Sequence, residues 1–359
     1  MTELTTALLP GPELHAFLAS GAEATLLGQP VRVVTRWAEL RSFLSDEEGY
    51  PGGAVYRLQV EPVLGPTFIS MDGDEHLQVR RLAMPAFQSK AVSRFVADDL
   101  VPLAHEVVDR FAARGEGDLV AELTNVLPFW AISRKVGLPE GSEDRQRAVA
   151  RALLTHLQTP ELARRAADAV TAVVQPLLEP RRAEPRPDVL SHLLTTGLSD
   201  EQVLSHVRLL YAVGATTTAD AMSNLFALLL SDPALWDRAR QDPAVRPRLV
   251  AEALRLEPAV ALLPRLGEGG TLVMAALAAA NRDPDVFERP DAFDPDRRES
   301  EVMSFGFGPK FCPGWNLARS QLLAALEVVL ERLPRLSLTA PAQPQGAVLR
   351  ATPALPVRW

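Results

Sequence analysis

The chain of 359 residues contains a single cysteine, only three lysines (Lys90, Lys135 and Lys310) and no apolar run long enough to span a bilayer. One cysteine excludes an internal disulfide and favours a reducing, cytoplasmic setting. Positive charge is also short: 45 acidic side chains outnumber 37 basic ones, nearly all of these arginine. A net charge of −8 leaves no broad basic surface to meet phosphates, which excludes a general nucleic-acid binder. Pro10, Gly11, Pro12 and Glu13 interrupt the first thirty residues, so neither a signal peptide nor a membrane anchor is expected. The histidines are dispersed and give no ligand-spaced zinc cluster with the cysteine. Repeats, heptad arrays and low-complexity tracts are absent as well. What is abundant is apolar residue, at 47%, enough for a packed core and incompatible with disorder.

Helical periodicity dominates the rest. A short strand is expected at 31–36, followed by a helix carrying Trp37, Leu40, Phe43 and Leu44. Asp72 or Asp74 is a plausible cap for a helix from Asp74 to Ala86. Further helices are expected at 93–113, 120–137, 142–157 and 160–175. Four prolines mark Pro176 to Pro187 as a loop. The longest apolar helix should run over 201–230, behind a cap at Leu198–Glu201, with helices at 233–240, 246–256 and 315–332 after it. A strand is expected at 271–275, mostly irregular chain at 284–311, and β-like segments up to Trp359. The expectation is one domain over 1–359, mainly α with a small β part.

The cysteine lies in Phe305-Gly306-Phe307-Gly308-Pro309-Lys310-Phe311-Cys312-Pro313-Gly314. A lone cysteine is ordinarily a small buried hydrophobe, but glycine and proline here prevent regular structure. The glycines let backbone N–H groups approach the sulfur, and the following helix offers its N-terminal dipole to a thiolate. An apolar, N–H-lined thiolate on a rigid loop is what haem iron needs from an axial cysteine. The segment resembles the haem-binding loop of the cytochrome P450 enzymes, whose spacing Phe-Gly-x-Gly-x-x-x-Cys-x-Gly it matches. The resemblance implies the P450 fold, with a long central helix over haem b and Cys312 as iron ligand. It puts Phe305 and Gly306 under the porphyrin and Ala318 against it.

Three further matches follow the family's order. Glu252 and Arg255 share a helical face; the resemblance makes them, with Arg297, a buried network that locks the cysteine loop. His76 and Arg80, four apart, correspond to a propionate-gripping pair, and Arg265 to a further propionate arginine. Lys310 stands where many members carry histidine and would meet a propionate as a flexible point charge. Asn281-Arg282-Asp283-Pro284 reads as a structural turn.

The long helix contains Gly214-Ala215-Thr216-Thr217-Thr218, three poor helix formers in a row. Back-bonding of the hydroxyls would bend the helix without chemistry. By resemblance, a kink lies here above the iron, with an acid–alcohol pair delivering protons to bound dioxygen. Thr217 matches the alcohol, while Thr216 occupies the acid's place, so the carboxylate is missing. Asp220 is near in sequence, but three steps of about 100° each are expected to turn it away. A second departure is the short connection from Arg265 to Thr271, where relatives build a longer hairpin. Substrate-facing positions implied by alignment are Leu209, Ala212, Val213, Val260, Ala261 and Leu262, suiting an apolar substrate.

The activity implied is that of a haem-thiolate monooxygenase drawing electrons from a ferredoxin and its reductase, or an equivalent flavoprotein. The absent acid keeps a peroxide-using enzyme as the alternative, beside a non-catalytic haem protein that senses a ligand. A cysteine hydrolase is a poor rival, because the loop supplies no histidine partner.

Overall fold

A computed structural model describes residues 2–4, 9, 11–20, 23–139, 141, 147, 149–298 and 301–359. The helices that build the frame are α1 (Gly11–Ser20), α2 (Trp37–Ser45), α3 (Gly53–Gln59), α4 (Gly73–Ala83), α5 (Val101–Asp109) and α6 (Leu127–Val136). They are followed by α7 (Pro160–Val174), α8 (Asp200–Ser231), α9 (Pro233–Gln241), α10 (Arg246–Leu256) and α11 (Trp315–Arg332). Eight short strands are present among the described residues: β1 (Thr2–Glu3), β2 (Ala24–Leu26), β3 (Gln29–Val34), β4 (Glu116–Asp118), β5 (Leu262–Leu266), β6 (Leu272–Ala276), β7 (Ser337–Leu338) and β8 (Pro356–Arg358). The architecture is thus mainly α with a small β part.

Helix α8 is the axis. Its cap is reciprocal: Ser199 Oγ accepts from Gln202 N, and Gln202 Oε1 accepts from Ser199 N. From Val203 to Leu230 almost every side chain is buried, which explains why the sequence shows apolar residues on all faces. Gly214 allows α6 to come close, since a Cβ there would lie 3.0 Å from the Ile132 side chain. No break in the helix is found where the kink is expected. The helix is continuous across Gly214–Thr218, and the three threonine hydroxyls donate to the carbonyls of Ala212, Val213 and Gly214 at 2.8–2.9 Å. Back-bonding absorbs the β-branched run without breaking the helix.

Five strands form one sheet in the order β1-β2-β3-β6-β5 and three form another, β4-β8-β7. Strand β5 was not expected, because Pro264 interrupts its pattern; it is tolerated there because β5 is the sheet's edge. The short Arg265–Thr271 connection leaves the sheet intact. Gly269 and Gly270, both at positive φ, close a tight turn, and β5 and β6 pair from Leu262↔Ala276 to Leu266↔Leu272.

Other boundaries shifted for local reasons. The expected 31–36 strand is Gln29–Val34. Pro85 ends α4 early, and Met84–Phe87 continue as a 3₁₀ turn. Part of the expected 142–157 helix, at 142–146 and 148, lies outside the described residues. The expected Pro176–Pro187 loop contains a helix, Leu178–Ala183, because Pro180 falls in its first turn, where its missing N–H has no partner to lose.

The N-terminus of α2 is capped from far away. Arg36 offers no side-chain cap, but Asp283 Oδ2 accepts from Trp37 N at 2.8 Å, and its Oδ1 meets Arg36 at 3.2 Å. Burial alone would raise the Asp283 carboxyl, but the Trp37 and Asp285 N–H groups and Arg36 outweigh it and hold the carboxyl below its ordinary value. A lowered folded-state pKa stabilises above the unfolded value of about 3.9 and fades as pH falls through the folded one. Asp283→Ala should therefore cost about 1–2 kcal/mol at pH 7 in denaturant melts, with the deficit shrinking on acidification toward pH 3. An undiminished deficit at low pH would show that the carboxylate is not what caps α2.

Candidate haem site around the cysteine loop

Gly306 and Gly308 both take positive φ, +73° and +71°, and so turn the chain back on itself between Phe305 and Phe311. A Cβ on Gly308 would lie 2.8 Å from Leu44 O, so glycine also lets the loop sit against α2. On Gly306 a Cβ would meet nothing within 4 Å; that side of the loop is open. Cys312 N donates to Phe305 O at 2.9 Å, closing the loop, and Ala318 N donates to Gly314 O in the first turn of α11. Burial pushes the Cys312 thiol up, while the Gly314 N–H and the Arg80 guanidinium pull it down.

The loop's base is tied to a buried charge network. Arg255, 1% exposed, donates to both carboxylate oxygens of Glu252 at 2.7 and 2.8 Å. Its remaining donors reach the carbonyls of Asn281, Pro290 and Ala292. Arg297 Nε and Asp294 N complete Glu252 Oε1 at 3.3 and 2.9 Å. Asn281 carries the constraint onward: its Oδ1 accepts from Met303 N at 2.7 Å and its Nδ2 donates to Ser304 Oγ at 2.9 Å. Phe305 is the next residue. Sequence reasoning saw Asn281 as a turn and missed this link, although its place 26 residues after Arg255 was visible.

Cations gather beside the loop. Arg80 donates to Phe311 O. His76 Nδ1 donates to Phe68 O at 2.7 Å, and its Nε2 lies 3.3 Å from Pro309 O. Burial and nearby Lys310 hold His76 below its ordinary pKa, so it is neutral near pH 7. Arg265 is 3% exposed and donates to Pro264 O and toward the buried Tyr56 hydroxyl. A Cβ on Gly52 would fall 2.9 Å from both Arg265 Cζ and Lys310 Cδ, so glycine lets these cations converge. Tyr56 was not anticipated from the sequence. Lys310 is not a flexible charge: its ammonium is pinned 3.3 Å from Asp72 and 3.7 Å from Glu47 and donates to Met71 O.

Among the described residues neither Arg265 nor Arg80 has an acidic partner in ion-pair range. Buried Arg265 and half-buried Arg80, with no carboxylate beside them, are suited to anionic groups of a ligand. Two acidic arms of one group, beside a thiol that needs an electropositive partner, satisfy the whole donor set. These residues fit haem.

On α8, Val213, Gly214 and Thr217 keep accessible surface within an otherwise buried stretch, as do Phe305, Cys312 and Ala318. Val260 does so too. Leu209 and Ala212 are buried in the main core, and Ala261 and Leu262 in a separate cluster with Leu14, Leu18 and Met274. Strand alternation accounts for Leu262, which β5 turns away from the face that carries Leu263; Ala261 precedes the strand, and its N–H donates to Val348 O. Thr216 is 3% exposed.

Glu252→Ala should strip Arg255 of its buried counter-charge and cost about 3–5 kcal/mol, yielding little folded protein. Arg255→Lys, which cannot reach three carbonyls and two carboxylate oxygens at once, should melt earlier too. Wild-type thermal stability in both variants would remove the network from its structural role.

The cytochrome P450 family model matches residues 153–345. The mycinamicin IV hydroxylase/epoxidase of Micromonospora griseorubida is 32% identical, over 92% of this chain and 90% of its own length. The nocardicin C N-oxygenase of Nocardia uniformis subsp. tsuyamanensis is also 32% identical, with the same coverage of both chains. The crystal structure of a myxobacterial cytochrome P450 with myristic acid superposes with a TM-score of 0.87 at 27% identity, over 97% of this chain and 96% of that one.

Proposed function

The chain belongs to the cytochrome P450 family and is a haem-b monooxygenase, and from that premise we propose that Cys312 is its axial thiolate ligand. The observation that carries the assignment is the cysteine's place on a glycine-turned loop, closed by Cys312 N to Phe305 O, with the Gly314 N–H at its sulfur and the Arg80 charge nearby. Haem, when bound, supplies dioxygen activation and oxygen transfer. The chain's own residues do the rest. Arg265 and Arg80 take the two propionates, with His76 and Tyr56 in support and Lys310 holding Asp72 and Glu47 away from them. Phe305, Gly306 and Ala318 would add contacts to the bound haem from the loop and α11.

On the opposite side, Val213, Gly214, Thr217 and Val260 offer small, apolar surface to a small apolar substrate and exclude water from it. Of the three consecutive threonines only Thr217 keeps accessible surface, and its Oγ1 passes protons into the cavity. Electrons come from a separate ferredoxin-like or flavoprotein donor. The groove lined by Arg80, Phe311, Cys312 and the part-exposed Trp315 is the face that suits its docking. Among the described residues no helix is long and apolar enough to cross a membrane, which accords with a cytoplasmic enzyme.

Product formed per NAD(P)H oxidised, with a surrogate ferredoxin system and beside a peroxide-driven assay, tests the O₂ route. Reductase-driven product is expected, and Thr217→Val should release more hydrogen peroxide per electron. Product from peroxide alone would replace this reading with the peroxide-using one. Unchanged coupling in Thr217→Val would remove that hydroxyl from the mechanism.

A further inference from the structure

Asp220 is a carboxylate buried to 3% exposure on a helix whose other buried polar side chains, such as Thr216, Ser223 and Asn224, are uncharged or can be neutral. Its single ionic partner among the described residues is Arg151, whose NH2 lies 2.8 Å from Asp220 Oδ1. Arg151 itself is 48% exposed and also donates to Asn125 Oδ1 at 3.1 Å. One end of this pair therefore reaches solvent and the other is sealed against α8. A buried carboxylate tied to a surface arginine adds little net stability, because desolvation cancels most of the attraction.

The expectation that Asp220 is turned away from Thr217 fails on helical geometry. Three steps of about 100° sum to about 300°, which is about 60° in the other direction. Asp220 is thus i+3 to Thr217 and i+4 to Thr216, so it is a surface neighbour of both, with Cβ atoms about 5–6 Å apart. Side chains on a helix lean toward its N-terminus and cover the preceding turn, which aims Asp220 back at the two threonines. Thr216 and Thr217 spend their hydroxyl protons on Ala212 O and Val213 O, leaving their oxygens free to accept.

We propose that Asp220, gated by Arg151, is the proton-relay carboxylate of this enzyme, displaced one helical turn from the acid position that Thr216 occupies. The inference rests on the O₂-dependent reading of the site. As Asp220 leaves Arg151, it takes a proton from hydronium in the bulk solvent, which is left as water, and becomes neutral. It gives that proton, directly or through one water, to Thr217 Oγ1, which releases its own hydroxyl proton into the cavity. Asp220 returns to the carboxylate and to Arg151. One proton has crossed from bulk to cavity, and no electron has moved. Burial raises the Asp220 carboxyl above its ordinary range and Arg151 opposes that rise, so opening the pair favours uptake of the proton.

Two measurements on the haem-loaded protein test this. The first is infrared titration of the Asp220 carboxyl band, isolated as wild type minus Asp220→Asn. Its midpoint should lie above the ordinary aspartate value of about 3.9 and move higher in Arg151→Leu, a change near the surface that should not impair folding. A midpoint that Arg151→Leu leaves in place would overturn the gate. The second is coupling under reductase-driven turnover. Asp220→Asn should raise peroxide released per product by about tenfold or more, with the carbon monoxide spectrum and the substrate-induced Soret shift unchanged. Thr216→Asp in the Asp220→Asn background should restore coupling, which no purely structural role predicts. Unchanged coupling in Asp220→Asn, or no rescue, would overturn the relay. If Asp220→Asn fails to fold, Asp220→Glu and Arg151→Leu carry the same coupling comparison. Wild type that makes no product with reductase but does so with peroxide would instead overturn the O₂ reading itself.

Discussion

Arg255 is a full positive charge sealed in the protein interior, and the shape of the cysteine loop depends on how it is satisfied. Its five donors are spread over Glu252 and three backbone carbonyls that lie 26, 35 and 37 residues further along the chain. One of those carbonyls belongs to Asn281, whose side chain holds Met303 and Ser304 immediately before the loop. Removing any member would leave a charge or a polar group unpaired in low dielectric, where the penalty is severe. The network therefore fixes the loop more through what its disruption would cost than through net attraction.

With the base fixed, glycine does the local work. Positive φ at Gly306 and Gly308 reverses the chain twice within three residues, and the close approach to Leu44 O leaves no room for a side chain at Gly308. The sulfur emerges at the N-terminus of α11, with a backbone N–H directed at it. The cations then converge around the loop, again through a glycine, Gly52. Two of them, Arg265 and Arg80, have no acid partner within ion-pair range among the described residues, an arrangement that suits an anionic ligand.

Much of this was legible in the sequence because the relevant signals are local. The cysteine loop, the i,i+3 and i,i+4 charged pairs, and the boundaries of α10 and α11 follow from spacing, caps and glycine chemistry. What was not legible depends on tertiary placement. Strand β5 was hidden by Pro264, which only an edge position tolerates. Leu262 looks like any apolar wall until strand alternation decides which way it faces. Lys310 reads as a free cation until Asp72, brought from the start of α4, pairs with it. The close approach of α6 to α8 at Gly214 is likewise a tertiary feature that no local propensity encodes.

Thiolate ligation by Cys312 is the claim on which every other assignment at the site turns. Its most direct measurement is the spectrum of the reduced protein under carbon monoxide, taken for wild type and for Cys312→Ser at equal haem content. Thiolate ligation gives the strongly red-shifted Soret band in wild type and its loss in Cys312→Ser. A carbonyl spectrum of the ordinary globin kind in the wild type, or a red-shifted band that survives in Cys312→Ser, would contradict the account.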